Sequence, residues 1–216
     1  GGAELGILEG DVDAPYAVRC ADKQLIPSAW IKHGVVQEVQ ALAHWLKQYL
    51  KVNGYVVDEW LIGLEDAQVL NYTVSLPVAL SFEDVTFQLQ QETRDLFVDH
   101  AKAFALDYEI DEDDATHPRD SRRYLVSACP AVCADAWLEV ARAEGFHFSA
   151  LEPERDALAR LGQAELTGAI PAANLALALQ CDVALGLALG SWSRVSYNFL
   201  PHRPLWHQAL RRAWWM

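Results

Sequence analysis

Residues 123–161 read RYLVSACPAVCADAWLEVARAEGFHFSALEPERDALARL, and the order of patterns in this stretch decides the fold class. Arg123–Cys129 is a short β-rich run and predicts a strand. Ala131–Glu144 is helical in pattern, with Gly145 placed to close it. Phe146–Leu151 predicts a second strand, and Pro153–Leu161 a second helix with proline in its first turn. Strands alternating with helices bury their apolar faces most economically as a sheet covered by helices. The chain is therefore predicted to be an α/β protein.

Upstream, Ser81-Phe82-Glu83-Asp84 predicts a helix start, with a side-chain acceptor at the cap and an acid three residues later. That helix is expected to run to about Phe104, followed by a strand over Leu106–Ile110. Two β-rich runs, Asp58–Leu64 and Gln68–Leu76, precede it, and Pro77 ends the second. Val36–Val52 reads as an amphipathic helix: Val36, Val39, Leu42, Ala43, Leu46 and Leu50 share a face, and Asn53-Gly54 stops it. At the start of the chain, Glu4–Leu8 and Tyr16–Cys20 flank Gly10–Pro15 and predict strand, turn, strand. Downstream, Gly162–Ala173 is polar and expected to be irregular. Leu175–Leu189 is an Ala/Leu helix, apolar nearly all round and so expected to be buried.

Composition narrows the function. The 216 residues are 52% hydrophobic and 22% charged, which excludes a disordered chain despite the net charge of −13. Arg194, Arg203, Arg211 and Arg212 give residues 191–216 a charge of +4 with no acid, so the remainder carries −17. A body this acidic repels phosphate backbones, and no nucleic-acid partner is expected. Cys20, Cys129, Cys133 and Cys181 are dispersed and read as buried or idle thiols in a reducing compartment. No run of 18 apolar residues is present to span a bilayer. Yet Arg211 and Arg212 followed by Trp214 and Trp215 match the basic, aromatic flank of a spanning helix. A membrane anchor is expected beyond Met216, against the plainer reading of an amphipathic C-terminal helix.

Catalytic constellations are not evident. The sequence has no GxGxxG, GxxxxGK[ST], HExxH or GxSxG. The seven histidines are scattered. Glu152, Glu154 and Asp156 cluster where a helix is predicted to begin, and acids there are explained by the helix dipole. Asp111, Glu112, Asp113 and Asp114 read as a solvated loop, since the alternation and glycine of an EF-hand loop are missing. No enzyme activity, cofactor or metal is expected.

Local phrases and their order add a resemblance. Ser75-Leu76-Pro77 with Leu80-Ser81, the block from Arg123 through Trp137 to Phe146, the run from Leu151 to Arg160, and Asp182–Gly190 together resemble PilM, the type IV pilus assembly family. The short relative HofM is the nearer look-alike. Over residues 25–190 the resemblance implies a reduced actin-like (ribonuclease H-like) α/β fold, with helices on the faces of mixed sheets. The phosphate turns of an actin-like nucleotide site are missing at Leu5–Asp11. About a dozen residues stand between Leu161 and Leu175, where the family inserts its second phosphate-binding lobe, so that lobe is either lost or excised.

Tyr197-Asn198-Phe199-Leu200-Pro201-His202-Arg203 resembles the "iNlLPwR" peptide of PilN, the membrane-anchored partner family of PilM. A chance amphipathic strand is the plain alternative. Its place in the same chain implies a PilM–PilN fusion of the kind seen in GspL-type secretion proteins. The organisation this implies is a PilM-like domain over 1–190, then a PilN-like peptide and basic juxtamembrane helix over 191–216. The implied role is a non-enzymatic scaffold of a type IV pilus platform at the cytoplasmic face of the bacterial inner membrane. Its partners would be pilus or secretion platform proteins, an assembly ATPase met through Asp111–Asp114, and itself as a dimer. A GspL-like domain of a type II secretion platform, or an actin-like nucleotide-binding protein, are the rival readings. Residues 197–201 are expected to pack on the α/β body, in cis or across a dimer.

Overall fold

A computed structural model describes residues 3–9, 20–32, 34–57, 60–97, 103–111, 120–166, 181–192 and 197–200. Strand β1 (Glu4–Glu9) pairs antiparallel with β2 (Cys20–Leu25), and a minimal hairpin joins β3 (Ile31–Lys32) to β4 (Val35–Val36). Helix α1 (Val39–Asn53) leads to β5 (Trp60–Leu64), a 3-10 turn (Asp66–Gln68) and β6 (Leu70–Pro77). Helix α2 (Phe82–Leu96), β7 (Phe104–Ile110) and β8 (Ser121–Pro130) follow. The chain then runs through α3 (Ala131–Glu144), β9 (Phe148–Pro153), α4 (Glu154–Leu166) and α5 (Asp182–Trp192).

The decisive stretch folds as its pattern predicts. Gly145 takes φ 74°, a left-handed conformation that costs glycine little, and its N–H closes α3 on the Ala141 carbonyl. Beyond it β9 runs parallel to β5, the pairing that a helical crossover such as α3 permits. The Ser81 cap is also realised: its Oγ accepts from the Asp84 N–H at 3.1 Å, while Asp84 Oδ2 accepts from the Ser81 N–H at 3.4 Å.

Two cores result. The larger takes Leu42, Ala43 and Leu46 from α1, Trp60, Ile62 and Leu64 from β5, Trp137 and Val140 from α3, and Phe148 and Leu151 from β9. The smaller lies between α2 and the antiparallel sheet β6-β8-β7, and holds Leu76, Val85, Leu89, Tyr108, Tyr124 and Val126.

Several boundaries differ from expectation. The second strand continues to Leu25, because the register Glu4↔Leu25 to Glu9↔Cys20 and a Lys23–Glu4 ion pair draw the polar run 22–24 into the hairpin; residues 16–19 lie outside the described residues. Val36 lies in β4 opposite Ile31, and α1 starts at Val39. Helix α2 stops at Leu96 rather than near Phe104. Phe104 instead opens β7, where its ring stacks on Phe97 at 5.7 Å. Helix α4 continues past Gly162 to Leu166, and α5 crosses the proposed division at 190 to reach Trp192. The turn at 10–15, the residues 167–180 and the tail from Pro201 onward lie outside the described residues.

Helices α4 and α5 pack closely through Gly186, where an added Cβ would sit 2.1 Å from the Ala157 carbonyl oxygen. Because backbone rather than a mobile side chain is in the way, Gly186→Ala should cost about 1–3 kcal/mol, read as a lower urea midpoint. Gly162→Ala on the same α4, with no atom within 4 Å of its added Cβ, should be neutral or stabilising by about 0.5–1 kcal/mol. Equal midpoints for the two variants would contradict the close packing.

Candidate functional site: the groove filled by Tyr197–Leu200

Strand β9 is paired with β5 along one edge, and β7 is paired with β8 along one edge. Residues 197–200 reach both strands. The Asn198 side chain imitates a piece of strand: Oδ1 accepts from the Leu151 N–H at 3.1 Å, and Nδ2 donates to the Ser149 carbonyl at 3.1 Å. The next residue continues the pattern, with the Phe199 N–H donating to the Leu151 carbonyl at 2.8 Å. Asn198 Oδ1 also accepts from the Leu200 N–H at 3.1 Å, which turns the chain inward. One backbone bond and the two bonds of the Asn198 side chain thus hold the segment on the edge of β9, and side-chain pockets set its position.

Those pockets belong to the main core. Phe199 and Leu200 are 4% and 3% exposed and join the same cluster as α1, α3 and β5. Full burial of two such side chains contributes about 1.5–3 kcal/mol each.

Strand β7 supplies the polar wall. Leu106, Tyr108 and Ile110 turn toward the small core, so the alternation of a strand sends Asp107 and Glu109 the other way. Asp107 is buried; Oδ1 accepts from the Tyr108 N–H at 2.9 Å and Oδ2 from the Asn198 N–H at 2.9 Å. Two residues on, Glu109 Oε1 accepts from the Tyr197 hydroxyl at 3.4 Å. Burial, followed by the charges of Glu109 and Asp156, pushes the Tyr197 phenol far up, so it stays a donor.

Beneath this wall, Glu152 is fully buried in β9. It is not part of a dipole-stabilised helix N-terminus, as the sequence suggested, because it precedes α4 and points into the protein. Its Oε1 meets Arg160 Nη2 of α4, and Arg160 Nε donates to the Gly186 carbonyl of α5 at 3.1 Å. The pair thus ties β9, α4 and α5 together. Burial outweighs Arg160 and pushes the Glu152 carboxyl up to about 7.

A cavity of ≈490 Å³ opens between β1 and β5. Its described lining includes four acids, Glu4, Glu65, Glu154 and Asp182, against the single cation Lys23. Burial and then the neighbouring acids Asp66, Glu65, Asp182 and Glu4 raise the Glu154 carboxyl. Such a wall is hostile to a polyphosphate. Among the described residues no cluster of three metal-ligating side chains occurs.

Of the site residues read from the sequence, the structure brings Tyr197, Asn198, Phe199 and Leu200 together on the body of their own chain. Asp111 lies two residues beyond Glu109 and is ion-paired to Arg123 at 3.5 Å. Pro201, Glu112, Asp113, Asp114, Arg211, Arg212, Trp214 and Trp215 lie outside the described residues. Sequence reading missed Asp107 and Glu109, and it explained Asp156 by the helix dipole alone. The signal for the first two was the period-two alternation Leu106-Asp107-Tyr108-Glu109-Ile110-Asp111, a strand with one carboxylate face. Burial raises the Cys129 and Cys133 thiols, which makes them inert.

Two outcomes follow from this geometry. Asn198→Ala would leave the Leu151 N–H and the Ser149 carbonyl unpaired, at about 1–3 kcal/mol each. Hydrogen exchange at the Leu151 amide should then accelerate at least about tenfold, and an unchanged rate would refute the edge pairing. The second outcome concerns pH. Glu109, Glu152, Glu154 and Asp156 all have carboxyls raised by burial, so they hold their protons more tightly folded than unfolded. Their contribution to stability is full below the ordinary carboxylate range and is lost as pH rises through their raised values, about 7 for Glu152. Asp22 and Glu144, held low by Tyr49 and Lys47, act only at more acidic pH. The urea midpoint should be higher at pH 5 than at pH 8, with Glu152→Gln narrowing the difference; equal midpoints would contradict it.

No protein-family model and no curated protein matches the chain. Among solved structures, the PilM–PilN type IV pilus biogenesis complex is similar to it at a TM-score of 0.60 and 18% identity, over 76% of this chain and 47% of that one. The cytoplasmic domain of EpsL, an inner-membrane component of the Vibrio cholerae type II secretion system, aligns at a TM-score of 0.46 and 12% identity, over 72% and 54%. The chain spans about half the length of the solved structures it matches. The resemblance to PilM proteins read from the sequence is borne out in the fold, which is the mixed α/β, actin-like fold expected.

Proposed function

We propose that this chain is a non-enzymatic scaffold of a type IV pilus assembly platform at the cytoplasmic face of the inner membrane. Its body is PilM-like and carries its own PilN-like segment in cis. One observation supports this above the others: Tyr197–Leu200 is bound on the body, with Asn198 on the edge of β9 and Phe199 and Leu200 in the main core. The structural neighbour is a complex of PilM with PilN. In this chain the PilN-like phrase and the PilM-like body are one polypeptide, and the segment lies on the body.

Docking in cis anchors the residues that follow it to the body. A pull on the chain that follows Leu200 would then be transmitted to β9 and the main core. This is the mechanical link a platform needs between a cytoplasmic assembly ATPase and the membrane. The acidic wall of the β1–β5 cavity favours a scaffold over the nucleotide-binding rival, since in its described lining Lys23 alone could balance phosphate charge. The same arrangement would serve a type II secretion platform of the GspL kind.

Deleting the gene in its native host should abolish surface pili, or type II secretion if the platform is of that kind. The wild-type gene should restore the loss. Phe199→Asp, which buries a charge in the core, should fail to restore it while the α/β body still accumulates. A deletion strain with normal pili and normal secretion would refute the proposal.

A further inference from the structure

We propose that β6 is a self-pairing edge: two copies of this chain meet antiparallel along it, about a twofold axis at Thr73, and join their three-stranded sheets into one. The docked segment lies at the other edge of the same sheet, on β7.

In the order β6-β8-β7 the middle strand is β8, so β6 keeps one edge open. The register runs unbroken from Leu70↔Ala128 to Pro77↔Ser121, and one step further the Val78 N–H donates to the Asp120 carbonyl at 3.0 Å. Bonding alternates along an antiparallel pair. The even-numbered residues of β6 therefore bond β8, and Asn71, Thr73 and Ser75 turn their N–H and C=O groups outward. No described residue bonds those outward groups. Thr73 and Ser75 are exposed, so the edge can be reached. The β7 edge is treated differently: Asp107 caps the outward N–H of Tyr108 at 2.9 Å and also holds Asn198.

Natural proteins blunt exposed edges with charges, bulges or prolines. Strand β6 has no charged residue and no bulge, and its one proline is its last residue. The chain carries −13, so a second copy meets least repulsion at a strand with no charge. The two ends of the strand also match each other. With Thr73 on the axis, Asn71 stands opposite Ser75 of the second copy and Thr73 opposite Thr73. Each pair exchanges both of its N–H···O=C bonds. The next pair outward is Val69 with Pro77. Proline has no N–H, and the Val69 N–H already donates to the Asp66 carbonyl at 3.0 Å. The ladder thus stops at the same pair from either end, which fixes the register on Thr73. On the opposite face Tyr72 and Val74 pack against the small core. The same register sets Tyr72 beside Val74 of the second copy, an aromatic and β-branched pair of the kind that stabilises sheets.

The full chain in a Cys20→Ser background tests the register by cross-linking, since Cys129, Cys133 and Cys181 are buried. Cα atoms of a bonded antiparallel pair lie about 5.5 Å apart, within disulfide range, whereas Ser75 would stand about 14 Å from Ser75 of the second copy. Thr73→Cys should form a disulfide dimer under mild oxidation at least about tenfold faster than Ser75→Cys. Thr73→Lys sets like charges opposite each other at an exposed position. It should weaken self-association in sedimentation at least about tenfold and leave the urea midpoint in place. Phe199→Asp should leave the cross-linking of Thr73→Cys intact. Equal cross-linking of Thr73→Cys and Ser75→Cys, or a wild-type chain that stays monomeric at about 0.1 mM, would overturn the self-pairing. So would a dimer lost in Phe199→Asp and kept in Thr73→Lys, which would mean that the copies exchange residues 197–200 instead.

Discussion

The backbone of Leu151 has to be satisfied inside the protein, and much of the architecture answers that requirement. Strand β9 is buried, with Leu151, Glu152 and Pro153 among the fully covered residues. A buried strand edge left unpaired loses the free energy of every N–H and C=O it strands away from water. Strand β5 covers one edge of β9. On the other, Asn198 and Phe199 supply the donors and the acceptor that Ser149 and Leu151 need. Because these groups come from the far end of the described chain, the pairing makes the last residues part of the same core as α1.

Charge is handled at the seams rather than only at the surface. Tyr197 and the Asn198 amide meet acids of β7, and Glu152 meets Arg160 where β9, α4 and α5 converge. Paired buried charges of this type add little net stability over apolar packing, since desolvation offsets attraction. What they add is registration. Arg160 bonds the Gly186 carbonyl at the point where Gly186 lets α4 and α5 touch, so the polar contact and the close packing specify the same arrangement.

Fold likeness alone carries no function, and many activities share a superfold. The functional argument here comes from the site: an extended segment with a side chain that imitates backbone, two apolar anchors in the core, and an acid wall. A cavity whose described lining holds four acids and one lysine argues in the same direction, away from phosphate chemistry.

Patterns with a local cause were legible in the sequence. Helix α3 and its glycine stop, the Ser81–Asp84 capping box and the alternation of strands with helices follow from hydrogen bonds and dihedral preferences within a few residues, and they stand where the sequence placed them. The segment 197–200 was legible too, because Tyr197, Asn198, Phe199 and Leu200 are themselves the docking groups. Tertiary structure decided the rest. Val36 became a strand residue because Ile31 lies opposite it, and Phe104 left the helix to pair with Pro130. Glu152 looked like a helix-start acid, and only the packing of α4 and α5 revealed that its partner is Arg160, eight residues on. The acid wall was hidden for the same reason. Asp107 and Glu109 lie about ninety residues from the segment they hold, and no local pattern encodes which distant donor a carboxylate will meet.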